Sequence, residues 1–111
     1  MVNKVNGLLG ICAKAGKIAA GLDAVIEGIN KNLITAVIVA EDTSENTTQK
    51  IEKICKEKNV KMFIYGNIFE NSRAIGKVNK AVIGIKDKNL GLSLEKQICG
   101  GEVEWKKTKR I

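Results

Sequence analysis

The chain has 111 residues, a mass of 12.0 kDa and a formal net charge of +7. That length supports one domain with its own core, burying roughly two-thirds of the surface the unfolded chain exposes. An apolar fraction of 44% with 28% charged residues excludes disordered, collagenous and disulfide-scaffold classes. Histidine is absent, so no Ser-His-Asp triad, Cys-His pair or His-ligated zinc can be assembled within the chain. Cys12, Cys55 and Cys99 lie far apart without CxxC spacing and read as reduced, mostly buried residues of a cytoplasmic protein. No run of 18 apolar residues and no apolar h-region occurs, so neither a membrane span nor a standard secretion signal is expected.

In chain order, Val5, Leu8, Leu9 and Cys12 recur at i, i+3, i+4 and i+7, an amphipathic helix with Asn3 as N-cap and Gly16 as left-handed stop. Lys17-Ile18-Ala19 reads as a brief strand, punctuated by Gly21. Leu22, Val25, Ile26 and Ile29 form a second helical stripe, with Asp23 in the first turn, where an acid suits the helix dipole. Thr35 to Ala40 is a continuous apolar run rich in β-branched residues, the pattern of a central strand covered on both faces. Glu41-Asp42-Thr43-Ser44 breaks the run and offers caps for a third helix with Ile51, Ile54 and Cys55 inward. Asp42 is expected to cap or charge the start of that helix, with Glu41 a solvated loop acid. Lys61 to Tyr65 is the next strand, and Asn67 with Glu70 is a capping-box variant opening a short helix that Gly76 closes. Lys77-Val78-Asn79-Lys80 is a polar loop, Ala81 to Ile85 a strand, and Leu90, Leu94 and Ile98 mark a last helix ended by Gly100-Gly101. Residues 100–111 are a basic C-terminal tail or a late edge strand holding Trp105.

Helices and strands alternating at roughly 10–15 residue intervals predict an α/β protein: a single three-layer α/β/α domain over residues 1–99. The loops Ala20 to Asp23, Glu41 to Ser44 and Tyr65 to Ile68 should gather at one end of the sheet, where such domains place their sites.

No phosphate-binding GxxxxGK[ST] occurs, nor a GxGxxG after a strand. Glu41 and Asp42 could hold a hard cation such as Mg²⁺, but capping is the better use of Asp42. No catalytic, metal or cofactor site is therefore assigned. The positive charge has a pattern: three lysines and no acid in residues 1–20, and eleven bases against five acids in residues 61–111. A basic chain without a membrane segment points to a polyanion, nucleic acid first. Taken singly, Lys14, Lys17, Lys77 and Lys80 are solvated surface charges. Together with the free N–H groups at the start of the second helix, they suit phosphates.

The stretch Ala15-Gly16-Lys17-Ile18-Ala19-Ala20-Gly21, then Val37-Ile38-Val39-Ala40-Glu41-Asp42, then Ile64-Tyr65-Gly66 and Arg73-Ala74-Ile75-Gly76-Lys77, resembles the ribosomal protein L-seven-Ae / L-thirty-e superfamily. Leu8 to Lys17 and Ala40 to Thr47 are most similar to its small bacterial YlxQ branch. The resemblance implies an α/β/α sandwich with a mixed sheet of about four strands, and RNA binding without catalysis. Classical members grip kink-turn RNA through Gly-x-Asn-Glu-x-x-Lys at the second helix. Their Asn and Glu read guanine edges at tandem G·A pairs, and their Lys meets phosphate. Here Gly21 matches, while Asp23, Ala24 and Glu27 stand at the Asn, Glu and Lys positions. Each lost base-reading pair removes about 1–3 kcal/mol of discrimination, and Glu27 repels phosphate. The resemblance therefore implies an RNA surface in the superfamily's place with altered target choice. Its residues are Lys14, Gly16, Lys17, Gly21, Leu22, Asp23, Glu41, Asp42, Gly76, Lys77, Val78, Asn79 and Lys80. In the superfamily the loop matching Gly76 to Lys80 packs on a flipped base; Val78 offers the apolar contact here, Lys77 and Lys80 the charge.

The function expected is that of a non-enzymatic RNA-binding accessory factor of translation or RNA processing, monomeric, cytoplasmic and without cofactors. Its partner is ribosomal RNA or another structured cellular RNA. The alternative is a protein-interaction module of the same fold with little RNA affinity.

Overall fold

The computed structural model describes residues 4–99. Asn3 and the segment 100–111, with the Gly100-Gly101 stop and Trp105, lie outside the described residues. Within them the order is α1 Lys4–Lys14, β1 Ile18–Ala20, α2 Leu22–Asn30, β2 Ala36–Val39, α3 Glu45–Lys58, β3 Lys61–Ile64, α4 Ile68–Ala74, β4 Val82–Ile85 and α5 Lys88–Cys99.

The strands form one sheet in the order β1-β4-β2-β3. β2 and β3 run parallel, joined by the crossover through α3, while β4 runs antiparallel to both β1 and β2. The sheet is mixed and four-stranded, as the resemblance implied. The continuous apolar runs occupy its centre: every residue of β2 and β4 is buried, whereas the edge strands β1 and β3 are only partly so.

Strand alternation divides the core between two faces. Ala36, Ile38, Ile83 and Ile85 meet Val5, Leu9 and Cys12 of α1 and Leu94 of α5 on one face. Val37, Val39 and Val82 meet Val25 and Ile29 of α2 and Ile51 and Cys55 of α3 on the other. Each fully buried aliphatic side chain contributes about 1.5–3 kcal/mol, so neither layer of helices is dispensable. Cys12 and Cys55 are buried within these cores as free thiols, and Cys99 is half-buried. Burial pushes the Cys12 thiol up to about 11 and the Cys55 thiol up to about 12, which keeps both protonated and unreactive at neutral pH.

Local signals set the helix ends. Ser44 Oγ accepts from Thr47 N–H at 3.2 Å to cap α3, and Asn67 Oδ1 accepts from Glu70 N–H at 2.7 Å to cap α4. One expectation is corrected: Asp42 does not serve α3. Its Oδ1 accepts from Ile68 N–H at 2.9 Å, in the first turn of α4. Because β2 and β3 are adjacent and parallel, the loops that follow them are neighbours, and Glu41 N–H donates to Gly66 O at 2.8 Å between them. Asp42 thus lies nearer to a helix start remote in sequence than its chain position suggests.

Candidate nucleic-acid interface

β1, β2 and β3 all point the same way, and β4 points back. The loops after the first three strands and the loop before β4 therefore meet at one end of the sheet. Backbone bonds stitch them together: Gly21 N–H donates to Val82 O at 2.8 Å, and Ala40 N–H to Ala81 O at 3.0 Å. This end holds Gly21, Leu22, Asp23, Glu41, Asp42 and the run Gly76 to Lys80 among the residues expected from sequence.

The first limb is the start of α2. Gly21 is its N-cap, with φ 99° and ψ 156°, a region essentially confined to glycine. Gly21 supplies no side-chain cap, so the first amides of α2 keep a partial positive charge toward solvent. Asp23 is the acid of that first turn and is exposed. Across the gap, Lys80 Cδ and Nζ lie 3.8 Å from where a Cβ on Gly21 would sit. A cation over a helix N-terminus is unfavourable alone, and an anion shared between them relieves it.

The second limb is the loop from Gly76 to Lys80. Ser72, buried in α4, secures it with one hydroxyl: Oγ accepts from Lys80 N–H at 2.7 Å and donates to Lys80 O at 3.2 Å. Ser72 O also accepts from Lys77 N–H at 2.8 Å. With its backbone held, the loop presents Val78 at 82% exposure beside Phe69 at 67%. The two flank a hollow of about 290 Å³ that Arg73 and Lys77 also line. Large apolar side chains this exposed, bordered by two cations, are a candidate binding surface rather than a piece of core.

Sequence reasoning missed Phe69, Arg73 and Ser72. The signal was faint: α4 has seven residues, too short for a periodic stripe to separate inward from outward positions. An aromatic two residues after a capping Asn, in a chain with only four aromatic residues, was the available hint. Lys31 was missed as well. Its Nζ lies 3.0 Å from Glu27 Oε2, and that hydrogen bond holds the Glu27 carboxyl below its ordinary range. A phosphate approaching α2 meets an ion pair, not a bare carboxylate.

Lys14, Gly16 and Lys17 are elsewhere than the shared end expected for them. They precede β1, so Lys17 and Gly21 are separated by the strand's length, about 13 Å at roughly 3.3 Å per residue. Lys17 O accepts from Lys86 N–H at 2.8 Å at the far end of the sheet. Gly16 nevertheless lines the same groove, about 520 Å³ in volume, as Lys77 and Lys80. Among the described residues no group of three or more His, Cys, Asp or Glu is placed to hold a metal ion, and no helix is long and apolar enough to cross a membrane.

These layers, and the loop cluster at one end of the sheet, define an α/β/α sandwich of ribosomal-protein type. The chain belongs to the Ribosomal protein L7Ae/L30e/S12e/Gadd45 family, whose sequence model matches residues 3–90. It is 32% identical over 97 residues to the RNA-binding protein YlxQ of Enterococcus faecium, covering 87% of this chain and 93% of that one. It is 30% identical over 87 residues to the RNA-binding protein YlxQ of Bacillus subtilis (strain 168), covering 78% and 87%. Among solved structures, a protein of unknown function from Bacillus halodurans C superposes with a TM-score of 0.85 at 30% identity, over 87% of this chain and 98% of that one. The Giardia lamblia 15.5kD RNA binding protein shares the fold, with a TM-score of 0.75 at 20% identity over 87% and 83%.

Proposed function

We propose that this chain is an RNA-binding protein acting without catalysis, as a cytoplasmic, monomeric accessory factor of translation or RNA processing. The relatives named as RNA-binding proteins support the ligand class. The observation that carries the reading is the pairing of the two limbs: Lys80 over the uncapped start of α2, next to a braced loop bearing Lys77, Val78 and the neighbouring Phe69. A phosphate suits the first feature and an unstacked base the second. Glu41 and Asp42 act as struts of this end, since Asp42 is engaged with α4.

Asp23, Ala24 and Glu27 in place of the amide, carboxylate and cation of the classical pattern make guanine readout the weak part of the interface. Target choice then rests on RNA shape and backbone more than on tandem G·A pairs. Filter binding with structured cellular RNA at two salt concentrations tests the reading. Binding at low salt that weakens steeply with added salt supports it; no binding at low salt overturns it and favours a protein partner for Phe69 and Val78.

A further inference from the structure

We infer that the open edge of β1 is a track for single-stranded RNA backbone, leading away from the site proposed above. The inference rests on that RNA-binding reading and extends it to a second surface. β1 ends the sheet, and no described strand covers its outer edge. Lys86 N–H donates to Lys17 O and Gly21 N–H to Val82 O, so positions 17, 19 and 21 face β4 in the ladder. By antiparallel alternation, the N–H and C=O groups of Ile18 and Ala20 turn outward. That edge is not flat. Ile18 and Ala20 line the groove of about 520 Å³ together with Ala13 and Gly16 at its foot and Lys77 and Lys80 at its head.

The groove suits one phosphodiester chain. No carboxylate lines it, its head carries two cations, and two of its lining residues, Ile18 and Ala20, carry the edge strand's outward amides, which are phosphate donors. Lys14 and Lys17, both exposed, follow its foot residues directly in sequence, and Lys86 lies beside Lys17 across the ladder. Asp87 is the acid at that end, and its Oδ1 accepts from Leu90 N–H at 2.9 Å. A channel along one short strand between the ends of two helices admits a strand, not a duplex. It has no aromatic wall, so it holds backbone without choosing bases. This assigns Lys14 and Lys17 a role that their distance from Gly21 otherwise denies them.

The test uses the full chain and two fluorescent probes: a blunt RNA hairpin with an internal loop, and the same hairpin with a ten-nucleotide single-stranded extension of uridines or of adenosines. Affinity is measured over a range of salt. The extension is expected to tighten binding equally for either base. In Lys14→Gln with Lys17→Gln the gain disappears, and the log–log salt slope for the extended probe becomes shallower by about 1.4, two single-strand phosphates. Lys53→Gln with Lys58→Gln on α3 serves as control and leaves both probes unchanged. An extension that adds nothing, or a gain that survives at Lys14 and Lys17, overturns the track. Blunt-hairpin binding that remains dependent on Lys77 and Lys80 in that case leaves the main RNA reading standing. Indifference of both probes to both lysine pairs removes both readings.

Discussion

The start of α2 and the loop from Gly76 to Lys80 face each other at one end of the sheet, yet different constraints maintain them. At α2 the backbone is strictly specified, because Gly21 sits where only glycine is comfortable, while the exposed side chains that follow it are free to differ from the classical set. In the loop the exposed side chains are the candidate contacts, and the backbone is held at Ser72 through both its buried hydroxyl and its carbonyl. A scaffold of this kind can keep the geometry of that end while the side chains displayed on it change.

That contrast can be broken most forcefully at the loop. Lys77→Glu with Lys80→Glu removes two cations and installs two anions. Affinity for structured RNA at low salt should fall roughly hundredfold, read by fluorescence anisotropy. Gly21→Ala tests the other limb through its backbone: φ 99° costs a non-glycine residue about 1–3 kcal/mol, measurable as a lower urea midpoint with unchanged m. Ser72→Ala leaves the part-buried Lys80 N–H without its acceptor and should cost about 1–2 kcal/mol. RNA affinity should fall with it, because the loop is no longer fixed; retained affinity at lower stability would show that the brace serves folding only.

Asp23→Asn with Ala24→Glu sharpens the comparison in the opposite direction. If the backbone of α2 is still poised for guanine readout, affinity for a kink-turn RNA should rise about tenfold, with no gain for the same RNA lacking its G·A pairs. The smallest effect concerns the cores. The Cys12 and Cys55 thiols are raised by burial from 9.0 to about 11 and about 12, so the unfolded chain releases these protons first. Their contribution to stability is fully present below about pH 9 and is lost as the pH rises toward 11 and 12. Cys55→Ala should flatten part of that alkaline decline in a thermal melt series.

Much of this was legible in the residues. The β-branched runs ending at Ala40 and Ile85 announced central strands, and Ser44, Asn67 and Gly16 marked helix boundaries by their own chemistry. The loop lysines and Val78 were visible as site candidates for the same reason: polar punctuation between apolar segments is read locally. Asp42 was misassigned because capping was judged by chain distance, and its partner Ile68 is 26 residues away. Phe69 was overlooked because a seven-residue helix carries too little periodicity to reveal its outer face.

The sequence by itself determined the elements and the two apolar faces, since propensity, capping and periodicity act between residues close along the chain. Only the tertiary structure decided that β4 inserts between β1 and β2, that Lys80 reaches over Gly21, and that Lys17 stands a strand's length from it. Those facts depend on strand order and direction, which are set by the joint burial of both faces and have no local signature.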